Sequence, residues 1–264
     1  MNGLYIDGAP AGLEDLAHQV LANYGAYTSF RVESGGVRGL DRHLKRLERQ
    51  ALALFGESPS EARFRALMRQ ALGGQGEAWL RVNLFSRQIT HRDASWAGEP
   101  SVMVMVGAPP SPLAGPLRLM VKTYEREEPE LKHTATFGLM RARRAARTAG
   151  FDDVLFADAD GVISEGSLWN IGFLRAHTVL WPQAPMLAGV AQTVIEDGLA
   201  GVGMTSQTRR ISVNELDGFQ AAFICNSATP ACAVASIDGR AFDMDAARMD
   251  ALRAAWASQP RQPI

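Results

Sequence analysis

Apolar residues in this chain follow two different spacings, and the two alternate along its length. Spacings of three and four residues predict a first helix over 42–55 and a second over 61–72. A spacing of two residues predicts strands over 79–85 and 117–123. Helices and strands therefore interleave in both halves, which indicates an α/β or α+β fold of two small domains. Further helices are predicted over 137–148, 190–199 and 245–257, and further strands over 102–106, 169–174, 177–181 and 221–226.

Residues with capping chemistry bound the first two predicted helices. Asp41 and Ser60 are candidate N-caps, because a short polar side chain there accepts a hydrogen bond from the first helical turn. Gly56 and Gly73 are candidate stops, because glycine adopts the left-handed conformation that ends many helices. We therefore expect both helices to be short and well bounded.

The run 107–116, GAPPSPLAGP, is the strongest linker candidate, because proline and glycine interrupt regular structure. We place the domain boundary there. The division gives a small N-terminal α/β domain over 1–106 and a larger C-terminal domain over 117–264. A chain of 264 residues is long enough for two modest domains.

Composition excludes several classes of partner. The formal net charge of −1 provides no basic surface for nucleic acid, and no apolar run reaches the length of a membrane span. The N-terminal stretch MNGLYIDGAP lacks the basic start and apolar core of a signal peptide. Cys225 and Cys232 lie among apolar residues without metal or disulfide spacing, which predicts two buried thiols in a reducing compartment. We expect a cytoplasmic protein without a metal, nucleic-acid or membrane partner.

The most informative motif is the run 150–173, GFDDVLFADADGVISEGSLWNIGF, which predicts a hairpin with its turn at Asp160-Gly161. The hairpin ends at Glu165, a Gly-Ser turn follows, and a strand contains Asn170-Ile171. This order resembles the signature stretch of the class IV aminotransferases, which include branched-chain and D-amino-acid transaminases and aminodeoxychorismate lyase. The resemblance extends over most of the chain, through the segments 25–32, 40–51, 187–196 and 226–239.

The resemblance implies a two-domain fold-type IV enzyme with pyridoxal 5'-phosphate (PLP) at the domain interface. Lys132 stands where the family has its cofactor-bearing lysine, ahead of the helix before the hairpin. Its spacing alone would favour a solvated loop lysine, whereas the surrounding match favours the cofactor role. Glu165 matches the carboxylate that keeps the pyridine nitrogen protonated, because an adjacent anion favours the cationic form. The resemblance also implies a homodimer, in which a loop of the other subunit lines the active site.

Three segments match the family's phosphate-binding positions. Arg46 offers a fork of N–H donors, and a helix that begins at Val190 and Ala191 offers main-chain N–H groups at its N-terminus. Ser227 adds a hydroxyl. From the residues alone, Arg46 could equally be a surface arginine, and Ser227 could bond to nearby main chain.

The substrate side departs from the family pattern. The Asp-Arg-Gly loop and the Gly-Asp-Gly turn of many members are missing from 14–30. Branched-chain transaminases have a tyrosine five residues after the lysine, where this chain has Phe137. Tyr27 instead matches the first-strand tyrosine of D-amino-acid transaminases, so we expect it to serve the cofactor's phenolate oxygen. Candidate substrate-binding residues are Arg81, Arg31 and Thr28, with Arg87, His91 and Arg92 on a loop that a partner subunit could contribute.

We expect an aminotransferase in which Lys132 moves a proton between the substrate α-carbon and the cofactor. A PLP-dependent lyase that eliminates pyruvate is the alternative, because the Lys132-His133 pair also resembles aminodeoxychorismate lyase and Thr28 could deliver the proton. A non-catalytic homologue that binds PLP or another metabolite is a third possibility, since the family's loop motifs are missing. The substrate and its stereochemistry stay open.

Overall fold

The computed structural model describes residues 3–264, which form two compact units. Unit 1 contains the described residues up to Pro110 together with 131–135 and 261–264, and unit 2 contains 111–130 and 136–260. The chain therefore leaves unit 1 and returns to it twice. The linear division made from the sequence assigns both returning segments to the C-terminal domain.

Helices and strands interleave through both units, so the α/β class predicted from the apolar spacing is confirmed. The helices are α1 (Leu13–Ala22), α2 (Leu40–Phe55), α3 (Glu61–Leu72), α4 (Phe137–Thr148), α5 (Val190–Gly198) and α6 (Ala246–Ala257). The strands are β1 (Gly3–Ile6), β2 (Ala9–Pro10), β3 (Gly25–Val32), β4 (Gly36–Arg38), β5 (Ala78–Phe85), β6 (Ser101–Gly107), β7 (Leu117–Thr123), β8 (Asp153–Ala157), β9 (Ile163–Gly166), β10 (Asn170–Arg175), β11 (Thr178–Pro182), β12 (Thr205–Arg209), β13 (Ala221–Asn226), β14 (Thr229–Ile237), β15 (Arg240–Ala241) and β16 (Arg261–Pro263).

Unit 1 is built on an antiparallel sheet with the strand order β2-β1-β6-β5-β3. Helices α2 and α3 pack on one face of this sheet, where Phe30, Leu80 and Val104 meet Leu47 and Phe64 in one apolar core. Burying this apolar surface is the main favourable contribution to the stability of the unit. Because β3 is an edge strand, its outer side can pair with another segment.

Unit 2 is built on a larger mixed sheet with the order β12-β11-β10-β13-β14-β7-β8-β9, and β15 pairs with β14. One apolar core contains Leu119, Ile171 and Phe173. A second contains Trp181 with residues of α5 and α6, which pack together. Helix α4 lies against β8, where Ala142 and Ala146 share a core with Val154 and Phe156.

The predicted helix bounds are confirmed for α3 and α4 and need correction for α2. Ser60 caps α3 by accepting a hydrogen bond from the Arg63 N–H at 3.2 Å. Helix α2 begins at Leu40 with Gly39 as its N-cap, so the assignment of Asp41 as N-cap is wrong. Leu40 is fully buried, and an earlier helix start brings it into the core.

Helix α1 precedes the first predicted helix. Its apolar side chains Leu13, Val20 and Leu21 are 83%, 81% and 70% exposed, and none of its residues is buried. The polar side of α1 faces the rest of unit 1 instead, where His18 Nε2 lies 3.1 Å from the Ile89 carbonyl oxygen and Asp15 pairs with Arg87. A search for core-facing apolar stripes therefore misses this helix.

Among residues 3–264, no helix combines the length and the apolar character needed to cross a lipid bilayer. Both cysteines, Cys225 and Cys232, are buried and unpaired, as predicted.

A buried carboxylate, Asp153, connects β8 to the turn that follows β9. Its Oδ1 accepts a hydrogen bond from Ser167 Oγ at 2.7 Å, and its Oδ2 accepts one from Trp169 Nε1 at 3.1 Å. Arg143 Nε of α4 lies 3.3 Å from the same Oδ2. Because Asp153 is only 2% exposed, these donors replace the water that its charge would otherwise hold.

Asp153→Asn should lower the free energy of unfolding by about 3 kcal/mol, because the amide loses the charge and turns a donor toward groups that themselves donate. Urea unfolding followed by circular dichroism would measure the loss. Asp160→Asn, at the exposed hairpin turn, is the matched control and should change stability by less than about 0.5 kcal/mol. Equal effects of the two variants would show that the Asp153 contacts contribute little.

Candidate active site

Lys132 is held at the edge of the unit 1 sheet. The Tyr27 N–H donates to the Lys132 carbonyl at 2.9 Å, and the Thr134 N–H donates to the Gly25 carbonyl at 2.9 Å. The Lys132 N–H in turn donates to Gln50 Oε1 of α2 at 2.6 Å. With its main chain fixed on both sides, Lys132 places Nζ 4.9 Å from the centroid of the Tyr27 ring.

A second cation lies over the same ring. The guanidinium carbon of Arg81 is 3.6 Å from the Tyr27 ring centroid, and Arg81 Nε donates to Asn83 Oδ1 at 2.9 Å. Burial lowers the pKa of Arg81, while its interaction with Tyr27 opposes that shift. Arginine nevertheless stays protonated in proteins, so this side of the sheet presents a fixed cation beside Lys132.

Thr28 lies on the other face of the sheet, because neighbouring side chains of a strand point in opposite directions. Its parity is that of Phe30 and Val32, which belong to the core under α2 and α3. The Thr28 hydroxyl is fully buried and hydrogen-bonded to His43 Nδ1 at 2.7 Å. The structure therefore does not bring Thr28 together with Tyr27 and Arg81.

Three buried polar residues line one side of α2, at positions 43, 46 and 50. Arg46 is only 7% exposed, which removes the alternative that it is a surface arginine. Burial lowers the pKa of His43 well below its usual range, and the nearby charges of Arg46 and Lys132 add to the effect. A neutral imidazole beside two cationic side chains leaves this side of the helix suited to an anion.

The remaining substrate candidates of unit 1 contact main-chain or acidic groups. Arg31 shares the face of Tyr27 by its parity, but its guanidinium donates to the Pro110 carbonyl at 2.6 Å. Arg87 pairs with an aspartate of α1, and His91 Nε2 lies 2.7 Å from the Leu21 carbonyl oxygen. Arg92 is exposed. Arg81 is thus the substrate candidate that lies directly beside Tyr27.

In unit 2, Glu165 lies in β9, one residue before the end of the strand, and forms a buried ion pair. Arg126 Nε donates to Glu165 Oε1 at 2.8 Å, and the two side chains are 7% and 9% exposed. The Leu187 N–H lies 3.4 Å from Glu165 Oε2, and Arg126 also donates to the Pro129 carbonyl. The arginine therefore orients the carboxylate. The sequence reasoning missed Arg126, because it stands in the acidic run 125–130 and looks like a surface residue.

Helix α5 begins without a side-chain cap, because its N-cap residue is a glycine. Gly189 is the N-cap and provides no side chain to the first turn. A Cβ at Gly189 would lie 1.9 Å from Asn170 Oδ1, so glycine allows the close approach of β10, where Asn170 Nδ2 donates to the Leu187 carbonyl at 2.9 Å. The buried residues Val190 and Ala191 follow, and main-chain N–H groups in this position bind anions well.

Ser227 lies in the turn between β13 and β14 and is half-buried. Asn226 Oδ1 accepts hydrogen bonds from the N–H groups of Ala228 and Thr229, at 3.0 and 2.9 Å, and this fixes the turn. The neighbouring asparagine, and not the Ser227 hydroxyl, thus provides the side-chain oxygen that these main-chain groups need. This weakens the alternative that Ser227 is a purely structural hydroxyl.

These groups fit the chemistry that PLP requires of its protein. Within unit 1, a lysine amine lies beside a tyrosine ring, and the arginine at position 46 is buried. Within unit 2, an arginine orients the Glu165 carboxylate, and helix α5 begins without a side-chain cap. An amine, an anion for the pyridine nitrogen and anion-binding groups are the three kinds of contact the cofactor needs. The fold and these groups define a PLP-dependent α/β enzyme.

The chain belongs to the class IV aminotransferase family, because the family model described as amino-transferase class IV matches residues 25–237. This confirms the resemblance seen in the 150–173 run. Members of this family use PLP, so the predicted cofactor and the prediction of a PLP-dependent aminotransferase are confirmed as well.

Two curated relatives are similar in sequence to this chain over most of its length. A probable branched-chain-amino-acid aminotransferase of Rickettsia felis is 23% identical over 90% of this chain and 86% of the relative. Aminodeoxychorismate lyase of Bacillus subtilis is 25% identical over 86% of this chain and 82% of the relative. Both activities that the sequence left open are thus represented among the relatives.

Solved structures share the fold. The branched-chain aminotransferase of Thermoproteus uzoniensis, crystallised with norvaline, superposes with a TM-score of 0.82 at 20% identity over 96% of this chain and 92% of that one. A hypothetical aminotransferase from Mycobacterium tuberculosis in its PLP-bound form superposes with a TM-score of 0.76 at 20% identity, over 97% and 99%. At these identities the likeness establishes the two-unit architecture.

Arg126→Met should lower the free energy of unfolding by about 3 kcal/mol, because it leaves the buried Glu165 carboxylate without its cation. The double variant Arg126→Met/Glu165→Met should recover most of that loss, since no buried charge remains. Urea unfolding of all three proteins would measure both effects. Arg253→Met, which removes an exposed ion pair with Asp250, is the control and should cost less than about 1 kcal/mol. A double variant no more stable than Arg126→Met would contradict this account.

Proposed function

We propose that Lys132 is the cofactor-bearing residue of this aminotransferase, which transfers an amino group between an amino acid and a 2-oxo acid. The observation that carries the proposal is the position of Lys132 Nζ, 4.9 Å from the centre of the Tyr27 ring, on a main chain fixed by hydrogen bonds. A solvated loop lysine would have neither the aromatic neighbour nor the fixed main chain.

When bound, PLP supplies an aldehyde for the lysine amine and a ring that withdraws electrons from the substrate α-carbon. Lys132 would hold the cofactor through its amine and, once displaced by the substrate, would accept the proton of the substrate α-carbon. Glu165, oriented by Arg126, contacts the pyridine nitrogen and favours its protonated form. The Tyr27 hydroxyl serves the phenolate oxygen.

The phosphate group is bound by Arg46, by the N–H groups of Val190 and Ala191 and by the Ser227 hydroxyl. Arg46 supports this role because it is buried beside a neutral His43. The α5 terminus supports it because Gly189 leaves the first turn without a side-chain cap. A phosphate dianion at a helix N-terminus also interacts favourably with the helix dipole.

Arg81 binds the carboxylate of the amino-acid substrate. It is held over Tyr27 by stacking and by Asn83, so its fork of donors is already oriented. Arg31 is a weaker candidate because Pro110 already accepts from its guanidinium. Thr28 is not part of this proposed substrate site, because its side chain faces α2 and is hydrogen-bonded to His43.

The second candidate function is the pyruvate-eliminating lyase. The position of one hydroxyl group on β3 is relevant to this function. The hydroxyl that shares the parity of Tyr27 belongs to Ser29, which is paired directly with Arg81 of β5. If a hydroxyl delivers a proton to a leaving enol product, Ser29 and not Thr28 is the residue that could do so. We rank this activity below amino transfer because it needs that additional proton donor.

Lys132→Ala should abolish amino transfer, with a loss of about a thousandfold or more, because both the cofactor bond and the proton carrier disappear. The assay follows amino transfer from a panel of L- and D-amino acids to pyruvate and 2-oxoglutarate, with pyruvate release from aminodeoxychorismate measured beside it. Lys45→Ala, an exposed lysine of α2, is the matched control and should keep normal activity.

Borohydride reduction followed by peptide mapping should label the wild-type peptide that contains Lys132. A label on Lys45 or Lys122 would contradict the assignment of the cofactor lysine. Fast pyruvate release without amino transfer would instead support the lyase.

We also propose that the enzyme is a cytoplasmic homodimer. The apolar side of α1 supports the dimer, because large side chains exposed together on one helix usually mark an interface. A second copy of the chain is the partner expected for this class of enzyme, in which a loop of one subunit lines the active site of the other. The two buried, unpaired cysteines suit the reducing cytoplasm.

Sedimentation should therefore show a dimer, and Val20→Asp/Leu21→Asp should shift it toward the monomer. Charged groups placed on an apolar interface lose hydration on association, so we expect dimer affinity to fall about tenfold or more. Met244→Asp, at an exposed apolar residue of unit 2, is the control and should remain dimeric. A wild-type monomer that transfers amino groups would contradict the proposal.

A further inference from the structure

Gln50 is a fully buried amide in the middle of α2. It lies one helical turn after Arg46, and its side chain has 0% exposure. Glutamine is seldom buried completely unless it makes hydrogen bonds that compensate for lost water. Its contacts should therefore show what it does.

Its side-chain oxygen is hydrogen-bonded to Lys132, the proposed cofactor lysine. The Lys132 N–H donates to Gln50 Oε1 at 2.6 Å, across 82 positions in the sequence. A main-chain N–H can only donate, so the amide oxygen must face Lys132 and the amide nitrogen must face away. Gln50 Nε2 is buried there without a hydrogen-bond partner among the described residues. The Gln50 side chain therefore has one orientation, which satisfies Oε1 and leaves Nε2 without an acceptor among the described residues.

The bond replaces one that the sheet would otherwise provide. In the antiparallel pairing of the lysine segment with β3, Tyr27 donates to Lys132, and Ala26 lies opposite His133. A regular ladder would give the Lys132 N–H the Tyr27 carbonyl as acceptor. Gln50 accepts that N–H instead, so the regular pairing ends at Lys132.

We propose that Gln50 is a positioning residue for Lys132, which sets the direction of the lysine side chain by fixing its main-chain N–H. With the carbonyl held by Tyr27 and the N–H held by Gln50, the Cα–Cβ bond of Lys132 has one direction, and Nζ lies beside the Tyr27 ring. The catalytic part of this inference rests on the proposed role of Lys132, whereas the hydrogen bond does not.

The direct test is amide hydrogen exchange in the cofactor-free protein, resolved for single residues by NMR. Gln50→Met keeps the length of the side chain and removes the acceptor, so exchange of the Lys132 amide should accelerate about tenfold or more. Gln50→Glu keeps an acceptor oxygen, and its neighbours Arg46, His43 and Lys132 are cationic or neutral. The exchange rate of the Lys132 amide in this variant should therefore stay within about threefold of the wild-type rate. The amides of Tyr27 and Thr134 should stay protected in both variants, because their acceptors are main-chain carbonyls.

A second readout uses the PLP-loaded protein. Gln50→Met should lower kcat by about tenfold while KM changes less than about twofold, because a misdirected amine slows proton transfer without removing a substrate contact. The pH midpoint of the visible absorption of the lysine-bound cofactor should also shift. Gln50→Glu should restore most of kcat. Gln70→Met, which removes an exposed amide from α3, is the matched control and should change none of these values.

The outcomes separate the two proposals. Unchanged Lys132 exchange in Gln50→Met would overturn the inference, and so would faster exchange with an unchanged kcat and pH midpoint, which would make Gln50 merely structural. If wild type transferred no amino groups and borohydride labelled another lysine, the proposed function would fail. The exchange measurements would still decide whether Gln50 fixes the Lys132 main chain.

Discussion

The pairing of a five-residue segment, 131–135, with the edge of β3 is the interaction on which the proposed role of Lys132 depends. Residues 131–135 belong to unit 1, although the chain on either side of them belongs to unit 2. Main-chain hydrogen bonds from Tyr27 and Thr134 hold the segment at the sheet, and a side-chain amide completes them. An edge strand usually has to be protected from unwanted pairing. Here the edge of β3 holds the segment that contains Lys132, the proposed cofactor lysine.

Lys132 has Arg81 as a neighbour at the Tyr27 ring, and its charge also acts on His43 of α2, beside Arg46. The structure accommodates these side chains in different ways. Arg81 stacks on Tyr27, whose ring face attracts cations. Burial lowers the pKa of His43, so the imidazole adds no further positive charge near neutral pH. Arg46 stays buried on the helix that covers the opposite face. This excess positive charge suits the proposed binding of a phosphate and a substrate carboxylate.

Local patterns in the sequence predicted features that depend on residues close together in the chain, such as the ends of helices. The bounds of α3 follow from its capping residues and apolar spacing, and the motif around Glu165 identified the family. The strand over 25–32 was indicated by the family resemblance and not by a local pattern. The orientation of Thr28 was also available, since it shares the parity of Phe30 and Val32, but the family resemblance drew attention to its hydroxyl instead.

Other features depend on contacts that no local pattern encodes. Arg126 pairs with Glu165, which lies 39 positions later, while its own neighbours in the sequence are acidic. Gln50 is hydrogen-bonded to a partner 82 positions away. Helix α1 was missed for a different reason, because its apolar side faces outward and so leaves no trace in the core of unit 1.

The two segments that return to unit 1, 131–135 and 261–264, also determine when this unit can complete its folding during synthesis. Strand β4 pairs with β16, and the Asp41 N–H of α2 donates to Gln262 Oε1 at 2.8 Å. Arg65 and Arg69 of α3 donate to the carbonyls of Pro263 and Ile264. A ribosome therefore releases the sheet and both covering helices of unit 1 long before it supplies 131–135, and it supplies 261–264 only after all of unit 2. The nascent enzyme has to wait, with β3 and β4 incompletely paired, while the whole of unit 2 is translated.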